Sequence, residues 1–257
     1  MHSTTITLIG GPTVLIETGG FRLLTDPTFD PPGEYRLPDV MLKKTAGPAL
    51  TTQQLGHVDA VLLSHDQHAD NLDHAGRAFL AQSDHVLTTV AGAKRLQGRV
   101  QGLAPWETTT LTNSGGSTLH ITAAPARHGP AGIEPLAGDV IGFVLTNDDP
   151  QFGAIYITGD TVWYDGVAEV ARRFRPSIVV LFAGAAQTRG PFDLTMDTND
   201  AIETAHAVPD AVIVPVHHDG WAHFTQDRND LKQAFEALSI GSRLQLLEPG
   251  VPTKIAL

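Results

Sequence analysis

The stretch from Ala60 to Asp73 constrains this chain more than any other. It opens on an unbroken apolar run, Ala60-Val61-Leu62-Leu63. It then turns polar within one residue, as Ser64-His65-Asp66-Gln67-His68-Ala69-Asp70-Asn71-Leu72-Asp73. A short apolar run bounded in this way reads as a buried strand, and a helix is expected from about Leu72 to Gln82. The residues between them sit at the rim of a sheet, where a ligand or metal can reach them. His65, His68 and Asp70 offer imidazole nitrogens and a carboxylate, the donors that suit zinc and similar divalent ions. One His-x-x-His alone is a weak motif, and most polar loops with histidines are inert. The stretch therefore needs support from other strand ends.

Composition narrows the classes. The 257 residues contain no low-complexity linker, so one domain over 1–257 is expected, with 42% hydrophobic and 18% charged residues as in ordinary globular proteins. The net charge of -11 argues against a nucleic-acid partner; Lys43-Lys44 and Arg172-Arg173 are only pairs of basic residues. There is no cysteine, so any metal must be held by His, Asp or Glu. No basic segment precedes an apolar core near the N-terminus, and no apolar run is long enough to cross a bilayer. A soluble cytoplasmic protein without a membrane partner, acting on a small molecule, is the expectation.

Taken in order, Thr4 to Ile9, Thr13 to Glu17 and Phe21 to Thr25 read as a meander turned at Gly10-Gly11-Pro12 and Gly19-Gly20, ending in Asp26-Pro27. Residues 27–50 carry no clear periodicity and read as a lid, a binding loop or a plain surface loop. Further strands are expected at His85–Thr88, Thr108–Thr112, Ser117–Ala123, Val140–Thr146, Ala154–Thr158, Ser177–Phe182, Ala211–Val216 and Leu244–Leu247. Helices are expected at Ala91–Leu96, Gly166–Arg173, Thr198–Ala207 and Arg228–Leu238. Two similar halves of strands followed by helices imply an α+β fold. Its form is a four-layer αββα sandwich of two mixed sheets with helices on the outer faces.

One pattern recurs along the chain. An apolar run ends and a metal-type side chain follows: His65, His128, Asp160, His217. Each alone has an ordinary explanation, a surface loop for His128 or a helix cap for Asp160. Together with His68 and Asp70 they suggest convergence on one rim. His2, His57, His85, His120 and His206 read as structural or solvated and His74 as exposed, while His218 and His223 stay open. Arg127, Trp163, Tyr164 and Trp221 read equally well as pocket-lining or packing residues.

At these residues the sequence resembles the metallo-β-lactamase-fold superfamily, in the branch that includes ascorbate-6-phosphate lactonase. The matching stretches are Leu24 to Pro27, Leu63 to Asp73, Arg127-His128, Ile157 to Thr161, and Pro215 to His217 with Gly220-Trp221. The family signature, His-x-His-x-Asp-His, is not matched without a gap. A one-residue insertion aligns Asp70-Asn71-Leu72-Asp73 with the family's Asp-His-Leu-Asp. The resemblance then implies a first metal on His65, His68 and His128. It implies a second on Asp70 and His217, with Asn71 in place of a histidine, and Asp160 bridging both. One or two divalent ions are implied, zinc first, with manganese or iron as alternatives.

An open metal position lowers the pKa of bound water towards about 7 and supplies hydroxide at neutral pH. The resemblance thus implies a hydrolase of lactones, other esters or phosphodiesters, with Asp70 and Asp160 as catalytic residues and Asp70 as proton acceptor. Asp26 reads either as the acceptor of a hydrogen bond from a ligand histidine or as a simple Asp-Pro turn. Asn71 reads as a weak ligand or as a cap of the following helix. Two other functions stay open. One is a metal-binding protein of this fold with lost or non-hydrolytic activity, and the other is an iron-dependent redox enzyme. The sequence assigns no substrate-binding residue.

Overall fold

The computed structural model describes residues 3–36 and 40–256. The first half begins with strands β1 (Ser3–Gly10), β2 (Thr13–Thr18) and β3 (Phe21–Thr25). A hairpin follows, β4 (Gly33–Arg36) and β5 (Met41–Lys44), and then helix α1 (Thr52–Leu55). Next come β6 (Ala60–Leu62), α2 (His74–Leu80), β7 (Val86–Thr89), α3 (Val90–Leu96) and β8 (Val100–Leu103). The second half runs β9 (Thr108–Thr112), β10 (Thr118–Pro125), α4 (Glu134–Ala137), β11 (Ile141–Thr146) and β12 (Ile155–Ile157). It closes with α5 (Asp165–Phe174), β13 (Ile178–Phe182), α6 (Thr198–Ala207), β14 (Val212–Val216), α7 (Arg228–Ala237) and β15 (Thr253–Ala256).

Each half supplies one mixed sheet, except that β15 from the end of the second half adds to the edge of the first sheet. The first has the order β15-β1-β2-β3-β6-β7-β8, antiparallel as far as β3 and parallel from β3 to β8. The second has the order β14-β13-β12-β11-β10-β9, parallel among β12, β13 and β14 and antiparallel from β12 to β9.

The period-2 alternation of the strands decides the layers. Ile6, Ile16, Leu23 and Leu62 of the first sheet meet Ile121, Phe143, Ile157 and Val180 of the second in one core. Alternate residues point outward under helices. Leu24, Val61 and Leu63 pack with Leu72 and Leu80 on one side, and Val144, Tyr156 and Val179 with Val170, Ala205 and Phe235 on the other. Because both faces of β6 are covered, Val61, Leu62 and Leu63 are fully buried. Each such side chain contributes about 1.5–3 kcal/mol of transfer free energy. This is the four-layer αββα arrangement, the metallo-β-lactamase fold.

Several boundaries differ from the sequence expectation. Helix α2 starts at His74, two residues later than expected, because the Asp73 carboxylate caps it by accepting from the Gly76 N–H. The last strand is β15, not Leu244–Leu247. Leu244 makes only an isolated bridge to Ile213, and Leu247 fills the core from a loop. Residues 27–50 are not featureless: β4 and β5 turn Tyr35 and Leu42 onto Trp221.

Candidate metal centre

The parallel strands of each sheet end at one rim, and the candidate residues follow those ends. His65, His128 and Asp160 are each the third residue past β6, β10 and β12, and Asp26 and His217 come directly after β3 and β14. The backbone turns sharply there. Asp26 and His217 have positive φ, 29° and 56°, uncommon for side chains other than glycine and typical of functional sites. Gly159, at φ 62°, makes the turn before Asp160, where a Cβ would lie 2.6 Å from the Ile141 carbonyl oxygen.

The residues converge in two groups that share Asp160: His65, His68, His128 and Asp160, and Asp70, Asp160 and His217. His68 Nδ1 lies 2.9 Å from His65 Nε2 and 3.0 Å from His128 Nε2. Asp160 turns its two oxygens to different groups. Oδ2 is 3.4 Å from His128 Nε2, and Oδ1 is 3.3 Å from His217 Nε2. Asp70 Oδ2 stands 3.7 Å from His217 Nε2.

The donor set fits a cation. His128 Nδ1 donates to the Leu194 carbonyl oxygen at 2.7 Å, which leaves Nε2 as a lone pair aimed at the cluster. His65 Nδ1 is fixed by Ser64 Oγ at 2.9 Å. His68 Nδ1 carries at most one proton, so it cannot hydrogen-bond as donor to both neighbouring nitrogens. A positive ion between the three would satisfy all of them. The second group makes the same demand: Asp70 Oδ1 and both His217 nitrogens are buried with no hydrogen-bond partner, a costly state for isolated polar groups.

Burial lowers His65 well below the usual histidine range and His68 to about 4, with neighbouring histidines adding to the effect. Both rings are therefore neutral at pH 7 and open to a metal. Burial pushes the Asp160 and Asp70 carboxyls up, but His217 and His128 around the first, and His223 and His217 around the second, hold both far below the usual range. Burial likewise works against charge on His217, and Asp160 outweighs it and raises the ring.

Asp26 sits at the turn directly after β3. Its Oδ1 accepts from the Ser64 N–H at 2.7 Å rather than from a ligand histidine, and its Oδ2 has no partner. Burial and Asp160 raise its carboxyl well above the usual range. Asn71 is not a helix cap. Its amide Nδ2 donates to Asp160 Oδ1 at 3.2 Å, while its own oxygen is buried without a partner. Arg127 stacks on Tyr164 at 4.6 Å, Trp163 packs on the second outer core, and Trp221 is buried against Tyr35 and Leu42. His218 is buried, and burial lowers it. His2 lies outside the described residues.

His223 is the residue that sequence reasoning left open and the structure brings in. Its Nε2 is 2.9 Å from Asp70 Oδ2. With His68, Asp70, His128, Val40, Leu42, Leu194 and Arg189 it lines a cavity of about 20 Å³. Its one sequence signal was its place six residues past His217 in the same loop. The carbonyl of Leu194 and the side chain of Arg189 gave no signal at all.

The fold and the two histidine-carboxylate groups define the class, a metallo-β-lactamase-fold protein with a candidate metal centre. A beta-lactamase superfamily domain model matches residues 21–218, and the chain belongs to that family. It is 26% identical over 254 residues to the UPF0173 protein YddR of Bacillus subtilis, covering 95% of this chain and 97% of that one. It is 27% identical over 261 residues to a metal-dependent hydrolase of Herpetosiphon aurantiacus, covering 97% of each. Among solved structures, an isothiocyanate hydrolase from Delia radicum gut bacteria superposes with a TM-score of 0.84 at 24% identity, covering 98% of this chain and 100% of that one. A possible metal-dependent hydrolase from Veillonella parvula superposes with a TM-score of 0.82 at 23% identity, covering 99% of each. Family, fold and ligand groups make this chain a metallo-hydrolase of the metallo-β-lactamase fold. No described helix is long and apolar enough to cross a membrane.

Proposed function

We propose that the chain hydrolyses a lactone or another small ester. It would hold one divalent ion on His65, His68 and His128 and a second on Asp70 and His217, with Asp160 serving both. The observation that carries this is the split of Asp160, one oxygen towards His128 and the other towards His217. Three imidazoles in the first group favour zinc, and the carboxylate-rich second group also suits manganese or iron. When bound, such ions lower the pKa of water and polarise the carbonyl under attack.

The chain's own groups supply the rest. Asp70, buried but facing the cavity, takes the proton of the attacking water and returns it to the leaving oxygen. Val40, Leu42, Ala186 and Leu194 line the same cavity, and their apolar surface excludes bulk water from the reacting groups. The cavity has room for about one water, so a substrate enters by displacing the hairpin β4–β5 or the 186–194 loop. Among the described lining residues Arg189 is the only cation. A phosphodiester, which carries charge throughout the reaction, would call for more. An uncharged or singly charged ester fits better.

Asn71 favours a second reading, metal binding without hydrolysis, because it gives an N–H to Asp160 where an imidazole would add a metal bond. One experiment separates the two. Chelator-stripped protein is reloaded with zinc or manganese and assayed on lactones, aryl esters and bis-aryl phosphodiesters, with Asp160→Asn as control. Metal-dependent turnover of a lactone or ester, lost in the control, is expected. Tight metal uptake with no turnover on any of these would establish the second reading instead.

A further inference from the structure

We propose that His223 is a positioning residue for Asp70, fixing the carboxylate oxygen that stands towards His217 and with it the orientation of the carboxylate at the second metal position. The inference rests on the metal centre proposed above and adds to it a residue from a distant loop.

The geometry is specific. His223 Nε2 and Asp70 Oδ2 are 2.9 Å apart across 153 residues of sequence. A carboxylate only accepts, so Nε2 carries the proton and donates it. The other ring nitrogen, Nδ1, is buried and has no partner among the described residues. Asp70 Oδ1 is also buried and has no partner. The anchored oxygen is the one 3.7 Å from His217 Nε2, so the His223 N–H fixes how the carboxylate is presented to the second group.

The ring cannot easily turn away. The Gln187 N–H donates to the His223 carbonyl at 3.1 Å, and the Ala222 N–H donates to the Lys43 carbonyl at 3.0 Å. Phe224, the next residue, bridges to Ala186. The His223 ring itself packs 4.6 Å from the ring of Phe224 and 6.1 Å from that of Trp221. Both walls of the loop are therefore bonded to other elements. His223 is held over Asp70 from outside the Ala60–Asp73 stretch.

The placement matters because position 71 is an asparagine. In this chain the carboxylate beside it gains no help from an adjacent imidazole ligand, so its orientation has to come from elsewhere. Outer hydrogen bonds of this kind typically govern metal affinity by about 10–100-fold.

The test uses chelator-stripped full-length protein titrated with zinc, and separately with manganese, by calorimetry with elemental analysis of the products. His223→Phe fills the space and removes the N–H, and His223→Gln keeps an N–H donor. For His223→Phe, the second equivalent should bind about 10–100-fold more weakly. The first equivalent should be unchanged, and the metal-free protein should melt lower only by the loss of one charged hydrogen bond. His223→Gln should recover part of the loss. Equal weakening of both equivalents together with a lower metal-free melting temperature would mean that His223 only supports packing, and would overturn the proposal. So would a His223→Phe protein that binds both equivalents as the wild type does, or a wild type that takes up one metal only. Because the readout is affinity, two-step binding that responds to His223 with no turnover on any ester would sink the proposed hydrolysis and leave this inference standing.

Discussion

Asp73 should tolerate substitution much less well than its ion-pair partner Lys44. Both are buried, with side-chain exposures of 0% and 4%, and Lys44 Nζ lies 2.8 Å from Asp73 Oδ2. Asp73 also accepts from three backbone N–H groups: Phe29 at 3.0 Å and Gly76 at 2.8 Å on Oδ1, and Asp30 at 2.7 Å on Oδ2. Each oxygen therefore serves two donors. In Asp73→Asn one oxygen becomes an NH₂ group, whichever way the amide is turned. Two donors then face a donor, and the Lys44 cation is left buried without a counter-charge. Removing one partner of a buried pair costs about 3–5 kcal/mol. For a chain of this size that is a fall in Tm of about 6–20 °C. Lys44→Met instead leaves the carboxylate with its three backbone donors and replaces the ammonium by an apolar group of similar length. The loss is one charged hydrogen bond, about 1.5–3 kcal/mol. Thermal and denaturant melts of the two metal-free variants check the ranking. If Lys44→Met were as damaging as Asp73→Asn, the backbone donors would contribute little, and the account of Asp73 as the hub joining the 27–30 segment, β5 and α2 would be wrong.

Three other outcomes follow from the site. His68→Ala should lose most of the bound metal while Gln67→Ala keeps it, read by elemental analysis, because Gln67 is exposed and lies over Gly138 rather than in the cluster. Metal-free wild type should lose stability relative to His68→Gln as pH falls from about 6.5 towards about 4, by on the order of 3 kcal/mol. The sign follows from a folded pKa below the unfolded one: the unfolded chain takes the proton first, and the folded chain takes it only near the lower pKa. Denaturant melts of both proteins at several pH values measure it. The comparison with the variant cancels groups such as Asp200, raised by burial to about 6, which act in the opposite direction over much of that range. Asn71→His should tighten the second metal equivalent, roughly tenfold or more, in the same zinc titration used for His223. An unchanged second step would mean that position 71 does not face the second metal.

The rim residues were legible because of where they stand in the sequence. Apolar runs at 60–63, 154–158, 177–182 and 211–216 announced buried strands, and a residue such as His65 or His217 just beyond a run had few other places to go. Both sheets follow from the same alternation. Less was legible wherever the decisive partner is distant or is backbone. Strand β15 is recognisable only through its pairing with β1, some 250 residues away, and its four residues Thr253–Ala256 bury only Ile255. Hairpin β4–β5 has little alternation to detect, since Tyr35, Leu42 and Lys44 are its buried side chains. The tautomer of His128 is set by a main-chain carbonyl, Leu194, which no side-chain pattern reveals.

On the gapped reading of the sequence the His-x-x-His loop carries one extra residue, and the geometry of the loop bears on how such a residue would be absorbed. An extra residue could push the second histidine out of reach or move the rest of the loop. Here the loop is fixed at several points. Ser64 N–H is tied to Asp26, Asp66 is bonded to Arg95 while its carbonyl accepts from Arg77, and Asp73 is held by four donors. Between those anchors the chain closes a tight turn, with Asn71 and Leu72 N–H both donating to the His68 carbonyl. The slack goes into the side chain instead. His68 meets the cluster through Nδ1, the nitrogen nearer its own backbone, whereas His65 and His128 use Nε2. A histidine that presents Nδ1 brings its Cα closer to the ligand centre than one that presents Nε2. On that reading an extra residue would be taken up without displacing Asp70, which stands beside His217 and His223. Gln67 is exposed, while Asp70 and Asn71 lie beside Asp160.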